Sequence, residues 1–221
     1  MKHFFISLLL IATSATCLGQ VVKEKDTQAP VSPEIKALRT AASLANYGYE
    51  NESATALMEA ARIFATIQTQ PLDAVSMPKA KENLQNGQGI CFEPKTLIAD
   101  AKKIADKETL KYIKSVEKSI NSKHRGAVGG PCSAYGLVAG DNTDTWEVQF
   151  ERLKTAEVCV VGLKISDIDL YVFDALGNLI VCDEDNTSEC YCSWVPVLSK
   201  TYTVMVVNRG ILPNGYSIWT N

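Results

Sequence analysis

Asp167, Asp169, Asp183, Glu184 and Asp185 are the residues whose type and spacing could do specific chemistry. Calcium takes hard oxygen ligands, carboxylates above all, and needs several of them at one place. In the run from Ser166 to Ile180, Leu170 and Val172 alternate with Asp169, Tyr171 and Phe173, the period of a β-strand, and Gly177-Asn178 supplies turn residues that tolerate positive φ. Asp167 and Asp169 then project to one side of a strand, and Asp183 and Asp185 lie just past its hairpin partner. Asp167, Asp169, Asp183 and Asp185 are therefore the candidate calcium ligands. The alternative is that Asp169 accepts backbone hydrogen bonds in a loop while the other acids are solvated turn residues.

Other chemistry is thinly supplied. The two histidines are His3 and His124, and the second sits in a basic turn beside Lys123 and Arg125, a poor setting for a general base. The chain has no His-Glu-x-x-His helix, Gly-x-Ser-x-Gly elbow or Gly-x-x-x-x-Gly-Lys phosphate loop. Catalysis, if any, falls to paired carboxylates. Among the aromatic residues, Trp146, Trp194 and Trp219 are expected in a core, because large rings supply most of the bulk of a small sandwich. Tyr171 and Tyr191 alternate out of phase with their apolar neighbours and are the expected exposed binding residues.

The N-terminus reads as an export signal: Lys2 and His3 precede an apolar run from Phe4 to Ala12, followed by small polar residues and Gly19. Cleavage is expected after Gly19, which makes the chain secreted or periplasmic. A lipid anchor on Cys17 is the rival reading. No later stretch has the length of a membrane span. Lys and Arg total 22 against 25 Asp and Glu, a balance without the basic excess of a nucleic-acid binder. Of seven cysteines, six would remain after cleavage, and an even number in an exported chain favours disulfides. Cys182 and Cys190 flank a short acidic loop and are expected to bridge it, with Cys159–Cys192 and Cys91–Cys132 as residual pairings.

The elements that must position these groups divide near Gly126–Pro131. Residues 20–31 form a charged, Pro-ended linker. From 32 to 123 the spacing is helical. Ser32-Pro33-Glu34 supplies a helix start, and Ile35, Leu38, Ala41, Ala42 and Ala45 recur on one face up to Gly48. Leu57, Ala61, Phe64 and Ile67 mark a second helix, Leu97, Ile98 and Ala101 a third, and Leu110, Ile113, Val116 and Ile120 a fourth, with Asp106 capping between the last two and a loop from Pro71 to Phe92. Gly48 with Ala60 to Phe64 is weakly similar to a tetratricopeptide-type hairpin over about residues 33–70, although Asn51 stands where an aromatic is usual. The lysines of the last two helices are interleaved with Asp100, Asp106, Glu108 and Glu117, the pattern of a solvated face. Residues 126–221 read as strands.

The hairpin at Ser166–Ile180, the run Tyr202–Gly210 and the terminal Asn214–Asn221 together resemble the bacterial pre-peptidase C-terminal domain, a small secreted β-sandwich appended to other extracellular proteins. The resemblance implies an antiparallel, jelly-roll-like sandwich over residues 126–221, an inward-facing Trp194, and an association with calcium. The fold class expected is α+β multidomain, helical hairpins followed by a β-sandwich. The expected function is non-catalytic binding: the helices as a protein-interaction surface, and the sandwich as a stabilising appendage to a protein or an extracellular polymer. The alternative is a secreted hydrolase, or an accessory subunit of one, that uses carboxylates.

Overall fold

The computed structural model describes residues 31–76, 92–121, 131–197 and 201–221. Four helices come first, α1 (Pro33–Glu50), α2 (Ala54–Thr66), α3 (Pro94–Ile104) and α4 (Lys107–Asn121). Each starts where local chemistry allows. Pro33 and Pro94 occupy first-turn positions that need no N–H partner, Ser53 Oγ accepts the Ala56 N–H at 3.3 Å, and Asp106 Oδ1 accepts that of Thr109 at 2.7 Å. Gly48 lets α1 and α2 cross closely, since a Cβ there would lie 2.7 Å from Leu57 Cδ2.

Among the described residues ten strands form two five-stranded sheets. One runs β1 (Gln70–Pro71), β3 (Cys132–Val138), β10 (Asn214–Thr220), β5 (Ala156–Gly162), β8 (Glu189–Trp194). The other runs β2 (Ala74–Ser76), β4 (Asn142–Gln149), β9 (Thr201–Asn208), β6 (Ile168–Phe173), β7 (Leu179–Asp183). All neighbours are antiparallel except β1 and β3. The sheets enclose Trp146, Val148, Val158, Val160, Leu170, Val172, Val204, Val206, Tyr216 and Ile218. The Tyr216 hydroxyl accepts from Trp146 Nε1 at 2.8 Å and donates to Asp144 Oδ2 at 2.9 Å, which satisfies a polar tip inside the core.

The helices pack on the outer face of the first sheet, here the covered sheet. Cys159, Val161, Tyr191 and Trp219 share one apolar cluster with Ile35, Leu38, Leu57, Phe64, Phe92 and Leu97. Polar contacts tie the layers together. Arg39 pairs with Glu189 at 2.7 Å, Ser43 Oγ donates to the same carboxylate at 2.9 Å, Asn46 Nδ2 donates to Gly162 O at 3.1 Å, and Ser32 N donates to Glu157 Oε1 at 2.8 Å. Strand β5 is buried along its whole length because it has a core on each face, which accounts for its nearly unbroken apolar run.

One stretch departs from the sequence reading. Gln70–Pro71 and Ala74–Ser76, expected at a helix end and in a loop, each extend a sheet. Pro71 lacks an N–H and is tolerated because β1 is an edge strand; Gln70 N and Leu72 N donate to Pro131 O and Ser133 O, each at 2.9 Å. The chain thus enters the sandwich before its third helix. The expected signal segment, residues 20–30 of the expected linker, Cys91 and His124 lie outside the described residues.

Candidate functional site

The second sheet, here the open sheet, has no helix packed on its outer face among the described residues. Its register fixes what that face presents. Tyr171 stands opposite Met205 and Cys182, and Met205 opposite Thr145; Phe173 stands opposite Thr203 and Leu179, and Thr203 opposite Glu147; Asp169 stands opposite Val207, and Val207 opposite Thr143. Leu170, Val172, Val204 and Val206 turn inward, so the alternate residues must turn outward. The outcome is an aromatic and aliphatic centre, Tyr171, Phe173, Met205 and Val207, all half-buried, bordered by threonines. The Tyr171 and Phe173 rings lie 6.4 Å apart at 21°.

A polar network fixes one end of this face. Arg209 Nε donates to Asp169 Oδ2 at 2.5 Å and Arg209 Nη2 donates to the Tyr171 hydroxyl at 2.7 Å, which in turn donates to Glu184 Oε1 at 2.6 Å. Asp169 is 4% exposed, and the guanidinium compensates its charge. Burial, then the bond to Glu184, pushes the Tyr171 phenol up, so its proton stays in place as a donor.

Three of the four acids proposed as calcium ligands are engaged by other groups. Asp169 is taken by Arg209, Asp183 Oδ2 accepts the Tyr191 N–H at 2.9 Å and covers the edge of β8, and Asp185 Oδ1 accepts the Thr187 hydroxyl at 2.6 Å. Asp167 has a buried Oδ1 with no hydrogen-bond partner, and burial followed by the charges of Asp169 and Asp185 raises its pKa. Among the described residues no three His, Cys, Asp or Glu side chains are grouped to hold a metal ion.

Tyr191 is not at the surface. It is 5% exposed, its hydroxyl donates to Glu157 Oε1 at 2.6 Å, and the Arg39 guanidinium lies 5.3 Å above its ring, because the helices cover the sheet face that a strand pattern alone leaves open. The Cys182–Cys190 bridge is not formed either. Cys182 shares the outer face of the open sheet with Tyr171, whereas Cys190 points into the core between the sheets and donates to Ile168 O at 2.8 Å. Cys159 and Cys192 are also unbridged. Cys159 pairs with Tyr191 on the helix side of the covered sheet and Cys192 pairs with Val158 on the inner side. Trp146 and Trp219 are buried as expected, and Trp194 packs on Phe150 at 4.8 Å and Tyr202 at 5.2 Å.

Surface cavities among the described residues include two of moderate size. One of about 190 Å³ between α1, α2 and α3 brings together Glu52 and Asp100, carboxylates from separate segments. Asp100 is already engaged by Lys103 Nζ at 2.7 Å and by the Tyr49 hydroxyl at 3.0 Å. The other, about 300 Å³, lies between Leu72, Cys132, Val148 and Thr220.

Arg209 and Phe173 went unassigned at the level of sequence. Period-two spacing along Thr203, Met205, Val207 and Arg209 was the available signal, since it carries the guanidinium to the Asp169 side of the sheet.

No family model matches the chain, and no curated protein does. Solved structures do resemble its sandwich. It is similar to a pre-peptidase C-terminal domain. That domain, from the collagenase of Bacillus anthracis, is 15% identical over 40% of this chain and 87% of its own, with a TM-score of 0.33. A mitogen from Yersinia pseudotuberculosis is 12% identical over 42% of this chain and 86% of its own, with a TM-score of 0.34. PliG of Aeromonas hydrophila, a periplasmic inhibitor of g-type lysozyme, is 16% identical over 44% of this chain and 93% of its own, with a TM-score of 0.32.

Proposed function

We propose that the chain is an exported, non-catalytic binding protein whose partner, a protein or an extracellular polymer, docks on the outer face of the open sheet. The observation that carries this reading is the asymmetry of the sandwich. One outer face is sealed by helices, while the other keeps Tyr171, Phe173, Met205 and Val207 together at the surface. Covering that apolar centre supplies a driving force, and the Arg209–Asp169–Tyr171–Glu184 network holds its edge rigid, which lowers the entropy lost on docking. The helical layer spends its apolar stripes on the covered sheet, so its role here is to stiffen the sandwich. Export rests on the N-terminal segment; no described helix is long and apolar enough to cross a membrane.

A hydrolytic reading would use the cavity that holds Glu52 and Asp100, and it requires Asp100→Asn to abolish turnover of a polymer substrate. The binding reading is tested by capture from medium and envelope fractions with the mature chain and with a Phe173→Ser, Thr203→Arg double variant, each with calcium and with chelator. Saturable capture by the wild type that falls roughly tenfold in the folded double variant supports docking on this face, the size expected for loss of an interface anchor. Equal capture by both overturns it.

A further inference from the structure

We infer that the loop end of the sandwich bearing Ile211 and Leu212 is a preformed apolar finger that enters a cleft with a cationic rim on a partner protein. Ile211 is 90% exposed, Leu212 59%, and Ile165, from the neighbouring loop, 54%. Their backbones, by contrast, are pinned. Asn208, fully buried, donates from Nδ2 to Leu212 O at 2.7 Å and to Ala139 O at 3.2 Å, while its Oδ1 accepts from Gly210 N at 2.9 Å and from Ser166 Oγ at 2.8 Å. Asn214, also fully buried, holds the other loop: Nδ2 donates to Leu163 O at 2.9 Å and to Ser166 Oγ at 2.8 Å, and Oδ1 accepts from Leu163 N at 2.9 Å.

Asp141 N donates to Gly210 O at 2.7 Å, and a Cβ on Gly140 would fall 2.0 Å from Ile211 O, so the loops also seat against each other. Two buried amides therefore fix a segment whose largest side chains gain nothing from folding. Such an arrangement lowers the ordering cost of association, and a protruding aliphatic pair on a rigid base fits a concave apolar pocket.

Charge selects the occupant. Among the described residues the cations at this end are compensated, Lys164 by Glu50 at 3.5 Å and Arg209 by Asp169 at 2.5 Å. Asp141, whose backbone abuts Gly210, and Asp167, whose carbonyl accepts the Arg209 N–H at 3.0 Å, form no ion pair among the described residues, and Asp185 adds its charge to that of Asp167. The surroundings of the finger are thus acidic. Anionic lipid is disfavoured, a second copy would bring like charges together, and a basic-rimmed protein cleft is complementary.

The test places the photoreactive p-benzoyl-phenylalanine at position 211 of the full chain, with position 176, where Leu176 is also exposed, as the control. After irradiation in the producing cells and their medium, the expected product is a protein adduct at 211 and none at 176. Its crosslinked peptide should be apolar with flanking Lys or Arg, and its yield should fall with added salt. Adding Leu212→Asp should lower that yield roughly tenfold or more, as for an interface anchor; Ile165→Asp provides the same reading if the first variant does not fold. No protein adduct at 211, an adduct to lipid or to a second copy, or a crosslinked segment without basic residues would overturn the inference. The finger rests on different residues from the open-sheet surface, and the crosslink reports it whether or not that surface binds.

Discussion

Phe64→Ala is expected to weaken the helices and the sandwich together. Phe64 is 6% exposed and lies between Phe92, 6.1 Å away, and Trp219 of β10, 6.0 Å away. Removing a buried phenylalanine costs about 3–5 kcal/mol, part of it from lost ring–ring contacts. That is a large share of the roughly 5–15 kcal/mol that holds an ordinary domain folded. Urea denaturation in a Trp219→Phe background separates the two layers. Far-UV ellipticity is weighted towards the helices, and fluorescence reports Trp146 and Trp194 in the sandwich. With a loss near 4 kcal/mol and a slope of about 2–3 kcal/mol per molar, both midpoints should fall together by roughly 1.5 M. A helical transition that moves while the fluorescence transition stays in place would refute the shared core.

Gly136→Ala should cost about 1–3 kcal/mol as an overpacking change, because the new Cβ would lie 2.1 Å from Cζ of a Tyr216 ring anchored at its hydroxyl. Gly177→Ala, with open space around it but φ of +81°, should cost only about 1 kcal/mol, and thermal melts of the two variants check the ranking. Asp167→Asn should raise the melting temperature at pH 7. The folded pKa of Asp167 is raised, so in the window just above the unfolded value the native state holds the extra proton, and stability falls as pH rises through the folded pKa. The gain should vanish below the unfolded pKa, and an equal gain at all pH values would contradict the assignment. Burial pushes the Cys159, Cys190 and Cys192 thiols up, so a thiol reagent at pH 8 should label half-buried Cys132 and Cys182 first. A Cys182–Cys190 disulfide peptide in a non-reducing map would overturn that expectation.

Local patterns carried the elements. The four helices fall where the 3.6-residue stripes and the proline and aspartate signals put them, although α2 ends at Thr66, before Pro71, and the alternation in β6 correctly separated Leu170 and Val172 from Tyr171 and Phe173. Which face of which sheet a helix would cover is a long-range matter, and Tyr191 shows the consequence: its strand pattern matches that of an exposed tyrosine, yet α1 lies over it. The Cys182–Cys190 pairing fails for a related reason: β7 and β8 belong to different sheets, which sequence separation does not reveal. Asp169 illustrates a third limit. Its partner Arg209 stands 40 residues away, just past the end of β9, whose register only the assembled sheet fixes.

Hydroxyl-radical footprinting of the mature chain, alone and with the concentrated medium and envelope fractions, tests the binding surface most directly. Alone, Met205, Tyr171 and Phe173 should label readily while Trp219, Tyr191 and Phe64 stay protected beneath the helices. With the fractions present, the account predicts protection of Met205, Tyr171 and Phe173. Unchanged labelling of these three, with protection of the helical layer instead, would contradict it.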